Sequence, residues 1–231
     1  MRTTTRSIPT HASSGRPCPQ RSIPTHAIGA FYQSGVKLDV TVPSQTNLRV
    51  KTDSGNISAT GVNGQMTLGA SSGDITTNGG SGQVTLSADS GNIQDSNISG
   101  QITLTTISGD IKASNVSGQI TMQVDSGTIS VLNASANGSS TFETSSGDIG
   151  YHGSLDPNGT YLFKTGSGSI DLTLPGTAAI LVQASTDSGS LHSDFSGVSV
   201  NGKAAAGAAG NGLPFAKVTI QTSSGDISIN T

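Results

Sequence analysis

Residues 100–118 read G-Q-I-T-L-T-T-I-S-G-D-I-K-A-S-N-V-S-G, and at Gly118 the phrase starts again as G-Q-I-T-M. It keeps its step in both directions. Gly64, Gly82, Gly100 and Gly118 open copies of G-Q-[MVI]-T-[LM]; Ser54-Gly55-Asn56-Ile57, Ser72-Gly73-Asp74-Ile75 and Ser108-Gly109-Asp110-Ile111 carry S-G-[DN]-I. Glycine thus recurs every nine residues from Gly55 to Gly127, and two unlike halves make one repeat of 18. A fixed short period marks a solenoid, in which each unit buries its apolar face only by stacking on its neighbours. The fold class expected is all-β, a single-stranded parallel β-helix with 18-residue coils.

Stacking the repeats sorts side chains into columns. Leu48, Met66, Val84, Ile102 and Ile120 form one; Val50, Leu68, Leu86, Leu104 and Met122 a second; Ile57, Ile75, Ile93, Ile111 and Ile129 a third. Arg49, Thr67, Thr85, Thr103 and Thr121 lie between the first two and must face solvent, because strand side chains alternate sides. Each coil is read as two short strands, with turns at Ser-Gly and at Asn/Gly where Gly supplies positive φ at little cost. After residue 127 the coils loosen: the next anchors are Gly147, Gly168, Gly189 and Gly225.

The domain is expected to span residues 36–231, opening with the alternating V-K-L-D-V-T-V-P of residues 36–43. Residues 1–35, with their near-duplicate R-S-I-P-T-H at 6–11 and 21–26, read as a disordered or mis-assigned leader. The Gly/Ala-rich insertion over about 197–214 reads as a flexible loop, whose deletion (199–212) should move the melting temperature by only a few degrees. Pro43 and the Asn230-Thr231 tail read as partial caps for the two ends of the stack.

Composition bounds the function. Aromatic residues are 3% of the chain with no Trp, so the core must be a thin one of Ile, Val, Leu and Ala. Net charge is −3, but the first 35 residues hold four Arg and no acid. The rest carries all 14 acids against seven Lys and Arg, with no basic stripe for nucleic acid. A lone Cys18 allows no internal disulfide. No stretch approaches about 18 consecutive apolar residues, so no transmembrane segment is expected. No signal peptide is visible in the chain, Ala27 to Tyr32 being too short an apolar run.

Candidate chemistry is sparse. Acids flank the Ser-Gly turns either two residues before the Gly (Asp53, Asp89, Asp125, Asp187) or one after (Asp74, Asp110, Asp148, Asp226), never both. A row of cation sites is one reading. Avoidance of like-charge stacking at about 4.8 Å is the plainer one, with Asn56 and Asn92 as intervening amide rungs. A calcium β-roll would need Asp two residues after Gly, whereas Gln65, Gln83, Gln101 and Gln119 stand in the alternate halves. The outward Thr column is like the threonine arrays of ice-binding solenoids, but its companions Gly69, Ser87, Thr105 and Gln123 break the pattern, and strand propensity is much the better explanation of Thr. His152 near Asp148 and Asp156, and His192 near Asp194, are the acid–imidazole neighbours, each more simply read as solvated loop residues. No P-loop, Cys/His metal spacing or nucleophile elbow is present. Six N-x-[ST] matches follow from composition. No catalytic, cofactor-binding or metal-ligating residue is therefore assigned.

With its S-G-D-I turns, G-x-[VI]-x-L strands and closing V-x-I-x-T-S-S-G-D-I-x-I, the segment 36–231 resembles a bacterial adhesin-like β-strand-repeat family, a domain of unknown function. The resemblance implies a parallel β-helix at the cell envelope with no catalytic residues to carry over. The function expected is a non-enzymatic, extracytoplasmic structural or binding module, with envelope components as partners. The alternatives are a cytoplasmic self-assembling scaffold, whose open strand edges would stack end to end, and a carbohydrate-active β-helix. Against the last stands the lack of aromatic sugar platforms.

Overall fold

The computed structural model describes residues 41–210 and 213–231. The expected strand at 36–43 therefore lies almost wholly outside the described residues, as do the leader and Cys18. Among the described residues every element is a strand: β1 (Leu48–Ser54), β2 (Ile57–Ser72), β3 (Ile75–Ser90), β4 (Ile93–Ser108), β5 (Ile111–Ser114), β6 (Ser117–Ser126), β7 (Ile129–Ala136), β8 (Ser139–Ser146), β9 (Ile149–Leu155), β10 (Thr160–Ser167), β11 (Ile170–Thr173), β12 (Ile180–Ser188), β13 (Leu191–Ser193), β14 (Val198–Asn201), β15 (Ala204–Ala209), β16 (Ala216–Ser224) and β17 (Ile227–Asn230).

They wind into a flattened parallel β-solenoid in which, from β1 to β7, coil pairs with coil at an offset of 18 residues. Met66 faces Val84, Val84 faces Ile102, and Ile75 faces Ile93. The three apolar columns predicted from the repeat fill its interior. Thr67, Thr85, Thr103 and Thr121 point outward, half-exposed. Pairing starts at Ser44–Thr46, which bond to Asn63 ahead of β1.

Both corners have a physical cause. At Ser-Gly the φ values run from +127° at Gly55 to +150° at Gly189. Conformation is half the reason. A Cβ on Gly109 would also collide with the carbonyl oxygen of Gly91 in the coil below, so glycine is what lets the coils close to strand spacing. The opposite corner is a single left-handed residue, Gly61, Gly79, Asn97, Asn115 or Asn133. That bend does not interrupt the ladder, so β2, β3 and β4 are continuous 16-residue strands rather than two short strands each. Asn tolerates this conformation, and here it also makes a ladder: Asn115 Nδ2 donates to Asn97 Oδ1 at 3.1 Å, and Asn133 Nδ2 to Asn115 Oδ1 at 3.3 Å.

After Gly127 the wider coils enclose more volume, and aromatics fill it. Phe142 and Phe163 stack at 4.9 Å, and the Tyr151 ring meets both edge-on. The core is thus aliphatic in the strict repeats and aromatic in the loosened ones, a division that an all-aliphatic expectation misses. Burial pushes the Tyr161 phenol up to about 12, and its hydroxyl donates to Ala136 O at 2.9 Å.

Two expectations are overturned at the C-terminal end. First, the coils do not stack in chain order. β16 lies between β10 and β12, and β17 between β11 and β13, all parallel. Asn230-Thr231 therefore ends an internal rung and is no cap. Second, the 197–214 insertion is not a loose loop. β15 pairs antiparallel with β12, and β14 antiparallel with β15, closing the stack. Ala205 and Ala209 are buried there, with Phe195 and Val198 under the same cover. Alanine and glycine suit this strand because Gly207 presses on Gly197 and the Val198 backbone, with no room for a side chain. The reading of this segment as a flexible loop fails for that reason.

Candidate functional site

The most regular surface is the outer side of the sheet leading into the Ser-Gly corner. Its columns follow from strand alternation and register. Gln65, Gln83, Gln101 and Gln119 form the first, with Gln65 Nε2 donating to Gln83 Oε1 at 3.3 Å. The Thr column is next, then Lys51, Gly69, Ser87, Thr105, Gln123, Glu143 and Lys164. Nearest the corner are Asp53, Asp89 and Asp125, two rungs apart, so about 10 Å separates like charges. The lengthened turns at 133–138, 155–160 and 174–179 leave from the opposite corner, and β14–β15 continues the sheet beyond β12. The face is consequently long, flat and unobstructed.

Two shallow grooves indent it. One, of about 440 Å³, opens where Gly69 leaves a gap between Lys51 and Ser87; Arg49, Asp53 and Asp89 border it. The other, of about 340 Å³, lies between Ile107, Asp125, Glu143 and Lys164. Lys164 is the register neighbour of Glu143, whose Oε2 accepts from Gln123 Nε2 at 3.3 Å. These grooves offer alternating charge on a flat floor, not a closed pocket with convergent groups.

The acids after the turn glycines have a structural task that charge spacing alone did not suggest. Asn56 Oδ1 accepts the Asp74 N–H at 2.9 Å, Asp74 Oδ1 the Asn92 N–H at 2.8 Å, Asn92 Oδ1 the Asp110 N–H at 2.9 Å, and Asp110 Oδ1 the Thr128 N–H at 3.0 Å. Each side chain satisfies the amide that the tight corner leaves without a ladder partner. The expected amide rungs at Asn56 and Asn92 thus bond mainly to backbone, and the continuous amide ladder sits at the other corner. The same code holds across the reordered coils: Asp148 Oδ1 accepts from Ser169 N–H at 2.8 Å and Asp226 Oδ1 from Ser190 N–H at 2.7 Å. In space the column reads Asp148, Ser169, Asp226, Ser190. The every-second-rung spacing of acids, lost in chain order, returns.

The two acid–imidazole neighbourhoods fare differently. His192 Nε2 lies 2.9 Å from Asp194 Oδ1, both exposed. His152 is separated from Asp148 by four residues of extended chain, about 13 Å. Asp148 is engaged at Ser169, and Asp156 accepts from the Asn158 backbone at 2.8 Å. No common site forms there.

The sequence reading missed Asp95. It is fully buried in the column of Ala59, Thr77, Ala113 and Val131. The Thr77 hydroxyl donates to its Oδ1, while Oδ2 has no partner. Burial pushes its carboxyl up to about 6, opposed by the bonds from Thr77 and the Ser96 backbone. The signal was present: Asp95 is two residues beyond inward Ile93, so alternation turns it inward too.

Among the described residues no helix is long and apolar enough to cross a membrane. No curated protein and no solved structure matches the chain. A family pattern does match, over residues 20–230, which includes the whole solenoid. By that match the chain belongs to the Toastrack DUF4097 family, a β-solenoid domain of unknown function.

Proposed function

We propose that the protein is a non-enzymatic binding module of the cell envelope, adhesin-like, that works through the flat outer face bearing the Gln, Thr and Asp columns. The observation that carries this reading is the in-register face itself. Identical polar groups repeat every 4.8 Å or so along a rigid sheet, and the lengthened turns at 133–138, 155–160 and 174–179 leave from its far corner. Such a surface suits an extended or repetitive partner. It does not concentrate an acid, a base and a nucleophile at one point, as catalysis requires. The envelope location rests on the resemblance in the S-G-D-I and G-x-[VI]-x-L motifs.

End-to-end assembly as a cytoplasmic scaffold is less well supported, because antiparallel β15 occupies the β12 edge where a further parallel coil would dock. The exposed His192–Asp194 pair lies on and just after a three-residue strand rather than in a cleft, which weighs against a carbohydrate-active reading. Protease shaving of intact cells expressing the gene from its native locus tests the proposal. Loss of the solenoid from shaved cells is the expected result. Full protection within a cytosolic fraction would overturn the envelope assignment.

A further inference from the structure

The strand order at the C-terminal end defines a slot one rung wide. The chain leaves β11, climbs past one position through residues 174–179, builds β12 to β15, and returns from Gly210 to fill the gap with β16 and β17. The returning segment is held on both sides. Lys217 N–H donates to Gly159 O at 3.0 Å, Ala216 N–H to Ala179 O at 2.9 Å, Gly168 N–H to Ser224 O at 2.8 Å and Gly225 N–H to Ser188 O at 2.8 Å. Its inward residues Val218, Ile220, Ile227 and Ile229 are buried. Until it arrives, both walls of the slot are unpaired parallel edges with apolar interiors, the condition that invites strand addition.

We propose that this slot is a strand-binding site whose occupant is exchangeable, and that in a dimer each copy of this chain inserts its β16–β17 segment into the slot of the other. The occupant is a second copy because the fit is specific. The Thr222 hydroxyl donates to Gly168 O at 3.0 Å, Thr186 in turn to Gly225 O at 3.0 Å, and Asp226 accepts from Ser190 on the far wall. All of these bonds are conserved on exchange, since an identical segment fills the slot. The segment follows β10 to β15 in the chain, so both walls of the slot are made before it.

Cysteine pairing in the full-length chain, with Cys18→Ser throughout, tests this. Lys164 and Gln221 are outward neighbours in parallel register, at a spacing that a disulfide spans. The double variant Lys164→Cys/Gln221→Cys should close within one chain. The two single variants, unfolded and refolded together at about millimolar concentration, where a free insert competes with a tethered one, should give a disulfide heterodimer. Its yield should rise with concentration and exceed that from Lys51→Cys mixed with Gln221→Cys. Heterodimer at or below that background, with the double variant closing, would overturn the exchange. A double variant that fails to close would overturn the slot itself.

Discussion

Asp95 sets the residue scale, since one carboxyl in a dry column outweighs many surface charges. Its folded value of about 6 against an ordinary 3.8 means that the folded state binds the proton more tightly. The stability it contributes is complete below about pH 3.8 and is lost as pH rises through about 6. At pH 8 the buried carboxylate costs about 3 kcal/mol. The groups that face it are the Thr77 hydroxyl and the Ser96 backbone, with Ala59 and Ala113 along the column, so no cation offsets the charge. Asp95→Asn should therefore gain stability over the parent as pH rises from 5 to 8 in denaturant titrations. A difference that stays constant over that range would show that the ionised carboxyl is solvated.

At the element scale the informative unit is the β14–β15 pair. It covers the β12 edge with an antiparallel ladder from Ile180–Ala209 to Ser185–Ala204 and shelters Phe195. Removing residues 199–212 uncovers that edge and opens the end of the core. Losing such a ladder and its apolar cover should cost several kcal/mol, lowering the melting temperature by roughly 10 °C. The variant should also associate through the bare edge, which size-exclusion chromatography would reveal. A melting temperature within about 2 °C of the parent, with the variant monomeric, would mean that the pair is an ornament. Composition hid this element. A-A-A-G-A-A reads as loop, because what makes it a strand is the edge it lies on.

Over the whole molecule, stability is a chain of nearest-neighbour interfaces, since each coil touches chiefly the coils beside it. Ile93 sits at the middle of the column from Ile57 to Ile149 and is fully buried. Ile93→Asp should cost several kcal/mol by placing an unpaired carboxylate there, and loss of the cooperative melt by circular dichroism is the expected outcome. A variant that melts as the parent does would mean that this column meets water. The repeat by itself determined the parallel solenoid, the 18-residue coil, the three apolar columns and the glycine corners, because each follows from local alternation and a fixed step. The Asp95 environment was legible in the same alternation. Only the tertiary structure decided the order of the last coils, the antiparallel cap and the backbone-capping role of the turn acids. Identical S-G-D-I phrases are equally able to stack on one another, so which rung a segment occupies depends on the edges left open when it arrives.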